Sequence, residues 1–176
     1  DGHELRFAVN YLAPFLLTQM ILPLLVASAP ARLVNIASLG QAPIDFDDVM
    51  LERSYDGAHA YARSKLALIM FSLELAERLP GDEVTVNCLH PGTMMPTKIV
   101  REASLRSIDT LEHGVEAVVR LVVSPDLEGV TGRFFDGSTE TTAEAQAYDR
   151  EARRRVWELS EALAGLDAVT TGVTAG

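Results

Sequence analysis

Apolar residues crowd the start of the chain, and their spacing changes character several times afterwards. From Phe7 to Ala31 no charged residue occurs. Such a run is long enough to invite a membrane reading, but Asn10, Thr18, Gln19, Ser28 and three prolines (Pro14, Pro23 and Pro30) interrupt it. No Lys or Arg cluster flanks it to set an orientation. The pattern reads as a helix over 7–26, apolar on most faces and buried between a sheet and a partner subunit rather than spanning a membrane. Ala29-Pro30-Ala31 breaks that helix, and Arg32 to Ala37 forms a short buried strand that ends at Ser38. A polar loop with Gly40, Pro43, Asp45, Asp47, Asp48, Asp56 and Gly57 follows, with room for at most one helical turn. Strong helix formers then run from Ala58 to Leu79, where Pro80-Gly81 stops them. Leu68, Leu75 and Leu79 lie on one face of this helix and Leu66, Met70 and Leu73 on another, so it is covered on both sides.

Glu83 to Leu89 is a second strand, closed by His90-Pro91-Gly92. Asp109, with Glu112 three residues on, has the form of a capping box opening a helix that carries Leu111, Val115, Val118, Val119 and Val122 and stops before Pro125. Gly132 to Phe135 is a third, short strand. Asp149 caps a last amphipathic helix with Ala152, Val156, Leu159 and Leu163 on one face and Gly165 just past its end. Residues 1–166 therefore read as one domain portion and 167–176 as a flexible tail. The alternation predicts an α/β fold with a parallel sheet, right-handed crossovers and helices on both faces. Three strands are few for a doubly wound parallel sheet, so part of the sheet is expected to lie outside this chain or to be supplied in trans.

Composition narrows the function classes. The 176 residues include 48% hydrophobic ones, enough for one domain with a real core. A net charge of −10 argues against nucleic-acid binding through net charge. A single cysteine, Cys88, excludes an internal disulfide framework and a multi-Cys zinc site, and fits a reducing cytoplasm. His3, His59, His90 and His113 have no ligand spacing and read as surface or loop residues; Asp45, Asp47 and Asp48 read as a solvated loop. No metal is expected. Ser38-Leu-Gly40 has Ile36 where a hydrolase nucleophile elbow needs its first glycine, which sets a serine hydrolase aside. The chain opens on Asp1, not Met, with no basic n-region before the fold, so it is expected to begin in the middle of a longer gene product.

The chemistry gathers at Ser38, at a strand end, and at Tyr61 and Lys65, one helical turn apart on one face. For any tyrosine to act as acid or base near neutrality, its pKa must fall from about 10 toward 7, which takes about 4 kcal/mol. A lysine cation roughly 4–5 Å away, at an effective dielectric of about 20, supplies about 3–4 kcal/mol. The pair is physically competent, although Tyr-x-x-x-Lys alone is common on helices.

Six segments in order lend it specificity: Phe7 to Leu17 with Asn10, Leu33 to Ser38, Ala60 to Ala67 with Tyr61 and Lys65, Val86 to Gly92, Gly132 to Phe135, and Trp157 to Ser160. Together they resemble the short-chain dehydrogenase/reductase family, and more closely its retinol-dehydrogenase-like branch. The resemblance implies a Rossmann-like fold and reversible hydride transfer between NAD or NADP and a small-molecule alcohol or carbonyl. It implies that Asn10 helps hold a water in a proton relay and that Ser38 orients the reacting oxygen. Tyr61 transfers the proton, and Lys65 assists it and binds the nicotinamide ribose. Pro91, Gly92 and a following threonine, Thr93 or Thr97, line the nicotinamide pocket. Twenty-two residues separate Ser38 from Tyr61, in keeping with this branch, and Thr97 stands one residue further from Gly92 than the usual threonine. The segment from Met94 to Ser107, with Met94, Met95, Ile99 and Leu105, and the loop before Tyr61 are expected to border an apolar substrate. The helices at 7–26 and 58–79 are implied to build a homo-oligomer interface.

One family element is missing. None of the twelve glycines forms the loop whose N–H groups hold a pyrophosphate. The expected protein is thus the C-terminal, catalytic portion of such an enzyme: a partial Rossmann-like sheet without its N-terminal nucleotide-binding strands, inactive alone. The alternative is a catalytically silent remnant that serves as an oligomerisation or interaction module.

Overall fold

The computed structural model describes residues 2–80, 83–102 and 104–166; the tail expected over 167–176 lies outside them. The elements are α1 (Leu5–Ala27), β1 (Ala31–Ile36), α2 (Gly57–Arg78), β2 (Val84–His90), α3 (Lys98–Glu102), α4 (Leu111–Val123), β3 (Arg133–Asp136), β4 (Thr139–Thr141) and α5 (Arg150–Leu163). One sheet runs β1-β2-β3-β4, its first three strands parallel and β4 antiparallel. Ala31 pairs with Val84 and Ile36 with Leu89, so the two strands carrying the candidate site end side by side.

The expected strands and long helices are present, most with bounds shifted by a residue or so. Local chemistry sets both helix starts: Asp149 accepts from the N–H groups of Glu151 and Ala152 to open α5, as anticipated, and Asp56, read from the sequence only as a loop residue, accepts from His59 N at 2.7 Å to open α2. Gly165 follows α5 with φ +65°, the left-handed conformation that closes a helix. The expected capping box at Asp109 and Glu112 is not formed. Thr110 caps α4 by accepting from His113 N, and the carboxylate of Asp109 turns elsewhere. The strand absent from the expectation, β4, is a polar run without alternation; it pairs because the two-residue turn at Gly137 (φ +56°) and Ser138 brings Thr139 opposite Asp136.

Alternate residues of the sheet face different layers. Val84, Val86 and Cys88 pack with α2, whereas Leu89 and Phe135 pack with Ala117 and Leu121 of α4. The crossovers through α2 and α4 thus run on opposite faces while the sheet grows in one direction, so they are of opposite hand. The expectation that all crossovers are right-handed fails for one of them. Apolar packing on both faces permits this, because α4 has its own core against Leu89 and Phe135.

Helix α2 is the centre of the molecule. Thirteen of its residues are buried, between the sheet and the pair α1 and α5. Phe15 meets Phe71 at 5.2 Å and Trp157 at 5.3 Å, both edge-on, and Phe7 meets Tyr11 at 5.0 Å. Ser160 donates to Val156 O, so Tyr11 donates its hydroxyl to Ser160 Oγ; burial drives the Tyr11 phenol well above its ordinary pKa. The inner face of α5 is Ala152, Arg153, Val156, Trp157 and Ser160, while the expected Leu159 and Leu163 are only half-buried.

Helix α1 buries one side against the rest of the chain. Phe7, Tyr11, Phe15 and Leu22 face α2 and its surroundings, while Leu5, Val9, Leu17, Met20 and Leu24 are exposed. By length and composition α1 is able to cross a membrane, and only 22% of its most apolar window is buried. It is buried on one side, and the exposed apolar side is the one expected against a partner subunit. The outer face of α2, expected at a subunit interface, is covered by α5 of the same chain.

Candidate active site

Ser38 lies just beyond the C-terminal end of β1, and α2 brings Tyr61 and Lys65 across from it. Ser38 Oγ accepts from Gly40 N at 3.0 Å, which leaves the hydroxyl proton free to donate. A Cβ placed on Gly40 would lie 3.5 Å from Ser38 Oγ and 3.7 Å from a ring carbon of Tyr61, so the two side chains border one small space. Tyr61 is 39% exposed, open to a ligand from solvent. Lys65 Nζ donates to Ile36 O at 2.9 Å and stands 5.7 Å from the Tyr61 ring centre. Burial of the ammonium pulls the Lys65 pKa below the ordinary lysine value. These three expected residues converge.

Asn10 is held behind them. It sits in a π-helical segment of α1, Ala8–Leu12, where the helix widens. Pro14 has no N–H for the Asn10 carbonyl four residues back, so that oxygen lacks its α-helical donor. The Asn10 amide donates to Ser64 Oγ at 3.0 Å, and Ser64 donates to Tyr61 O at 2.7 Å. With its proton committed to Tyr61, Ser64 can only accept, which fixes the orientation of the Asn10 amide.

Pro91 and Gly92 follow β2, and Pro91 helps form the other wall. Ile36, Pro91, Met95, Leu111, Gly114 and Val115 help line an apolar pocket of about 310 Å³ next to the Lys65 anchor at Ile36. The two candidate threonines differ. Thr93 bonds His90 Nε2 through its hydroxyl at 3.0 Å and donates its N–H to Asp109 Oδ2. Thr97 N donates to Met95 O at 2.6 Å, and its hydroxyl has no partner among the described residues. His90, expected as a surface or loop residue, is buried at the end of β2; burial lowers its pKa, against the opposing pull of the Asp136 and Asp109 carboxylates, so the ring is neutral at pH 7.

Ser64, His90 and Asp109 escaped the sequence reading. Only the serine between Tyr61 and Lys65 left a trace in the pattern, while the other two act through contacts that no spacing announces. Among the described residues no group of His, Cys, Asp or Glu could hold a metal, and Asp45 and Asp48 instead cap turns at Asp47, Glu52 and Arg53.

A family model for short chain dehydrogenase matches residues 3–107. Human retinol dehydrogenase 14 is 39% identical over 94% of this chain and 54% of its own length, so the chain spans about half the length of the curated relatives it matches. Among solved structures, the NADPH-bound carbonyl reductase from chicken fatty liver superposes with TM-score 0.57 at 26% identity, over 78% of this chain and 55% of its own. A 4-hydroxyisoleucine dehydrogenase complexed with NADH gives TM-score 0.52 at 25% identity, over 74% and 56%. Motif order, fold and similarity agree: the chain belongs to the short-chain dehydrogenase family, and within it is retinol-dehydrogenase-like.

Proposed function

We propose that this chain is the catalytic portion of an NAD- or NADP-dependent oxidoreductase that interconverts an alcohol and a carbonyl. The observation that carries the reading is the meeting of Ser38 Oγ, the Tyr61 ring and Lys65 Nζ at the end of β1. The nicotinamide cofactor would supply or accept the hydride at the substrate carbon. In the reductive direction Tyr61 Oη gives its proton to the substrate oxygen, and Ser38 donates a hydrogen bond to that same oxygen. The Lys65 ammonium favours the phenolate left behind. The Asn10 carbonyl, for which Pro14 supplies no α-helical donor, would hold a water that returns a proton toward Lys65 and Tyr61.

The residues present fit the nicotinamide end of such a cofactor. The apolar pocket beside Ile36 would take a flat ring, Lys65 would hold a ribose, and Thr97 would offer a hydroxyl that has no partner among the described residues. The pyrophosphate has no glycine-rich donor loop in this chain, so tight holding of the whole dinucleotide requires strands beyond β1. Half-buried Met95 in the pocket lining and exposed Met94 and Leu105 in the segment after β2 favour an apolar substrate.

The test is Tyr61→Phe in the full-length native polypeptide. Turnover should fall by about 10²–10⁴-fold while NADH or NADPH binding, read by fluorescence titration, stays close to wild type. Unchanged turnover removes Tyr61 from its role, and tight NADH or NADPH binding by residues 1–176 alone removes the need for further strands.

A further inference from the structure

Every polar atom of Thr93 is engaged, and most of its partners come from one residue. Its N–H donates to Asp109 Oδ2 at 2.5 Å, its carbonyl accepts from Asp109 N at 3.0 Å, and its hydroxyl meets His90 Nε2 at 3.0 Å. One step further, Ile108 N donates to Met94 O at 3.2 Å, so the two ends of the excursion between β2 and α4 are zipped together. Asp109 also packs behind the pocket wall, on Gly92 between the lining residues Pro91 and Met95. A Cβ on Gly92 would lie 3.3 Å from Asp109 Cβ and 3.3 Å from Met95 Cγ and Sδ, so Gly92 is gripped between the two residues. Met95 in turn rests on Gly114 of α4, where any Cβ would overlap its sulfur. None of this serves the helix, because Thr110 caps α4. A carboxylate accepting a backbone N–H is a charge-assisted bond, stronger than a neutral one.

We propose that Asp109 is a positioning residue for the nicotinamide pocket: by holding Thr93 it fixes the Pro91–Gly92 wall and leaves Thr97 as the threonine that meets the cofactor. The proposal rests on the oxidoreductase reading above and adds to it a residue outside the Ser38, Tyr61 and Lys65 group. Asp109 touches neither substrate nor cofactor; it acts through Thr93.

Two measurements test it. In residues 1–176, amide hydrogen exchange at Thr93 should be slowest in the wild type, intermediate in Asp109→Asn, which keeps a neutral acceptor, and at least about tenfold faster in Asp109→Ala. In the full-length polypeptide, Asp109→Ala should raise KM for NADH or NADPH by about tenfold with kcat within about twofold, and Asp109→Asn should recover most of the loss. A general loss of stability would not split KM from kcat in this way. If the Ala variant does not fold, Asp109→Asn carries the test, with Thr93 exchange and KM each raised a few-fold. Thr93 exchange at the wild-type rate in the variants overturns the proposal, as does an unchanged KM. A wild type without nicotinamide-dependent turnover refutes the oxidoreductase reading instead, and with it the cofactor role given to Asp109, even where Thr93 exchange responds.

Discussion

Replacing Arg153 by Met should destabilise the fold less than replacing the two glutamates it binds. Arg153 is the buried member of the cluster, its side chain only 4% exposed. It donates to Glu77 Oε1 at 2.5 Å, Glu74 Oε2 at 3.3 Å and Ala147 O at 3.2 Å, fastening α5 to the helix that carries Tyr61 and Lys65. Without the guanidinium, Glu74 keeps Arg78 at 2.9 Å and Glu77, 48% exposed, keeps water, so no charge is stranded. Discounting for that solvent access, Arg153→Met should cost about 1–2 kcal/mol. The double variant Glu74→Met with Glu77→Met leaves a guanidinium buried with one carbonyl, and should cost about 3–5 kcal/mol. Urea unfolding followed by far-UV circular dichroism reads both; with m of about 2 kcal/mol/M, the two midpoints should differ by about 1 M. A double variant as stable as Arg153→Met, or more so, would refute the claim that α5 is held by a buried cation needing its carboxylates.

Two further outcomes follow from burial. Cys88 is enclosed, and burial pushes its thiol from 9.0 up to about 12. The unfolded thiol loses its proton first, near pH 8.5, so from there toward pH 12 the folded state binds more protons and loses up to about 1.4 kcal/mol of stability per pH unit through this group. Urea midpoints at pH 8 and pH 10 should therefore fall further for wild type than for Cys88→Ala, and equal slopes would contradict that origin. The exposed face of α1, with Leu17, Met20 and Leu24, is the surface left for association with a second copy now that α5 covers α2. Sedimentation velocity should find a dimer that Leu17→Glu with Met20→Glu converts to monomer, and a wild-type monomer at micromolar concentration rules that interface out.

The sequence by itself determined what depends on neighbours a few positions away. Asp56 and Asp149 cap helices two or three residues on, Gly165 ends one through its own φ, and Tyr61 and Lys65 share a face because a helix repeats nearly every four residues. The order of strands and helices, and with it the family resemblance, was legible for the same reason. Tertiary structure decided what rests on contacts between distant segments. Asn10 finds Ser64 across 54 positions, Arg153 finds Glu77 across 76, and Thr93 finds Asp109 across 16. Local pattern gave Asp109 to a helix cap, yet a stronger, charge-assisted partner at Thr93 claimed its carboxylate while Thr110 took the cap. Likewise the apolar run of α1 marks a helix with little polar surface, but which of its faces meets α2 and which is left exposed was set by the whole chain packing at once.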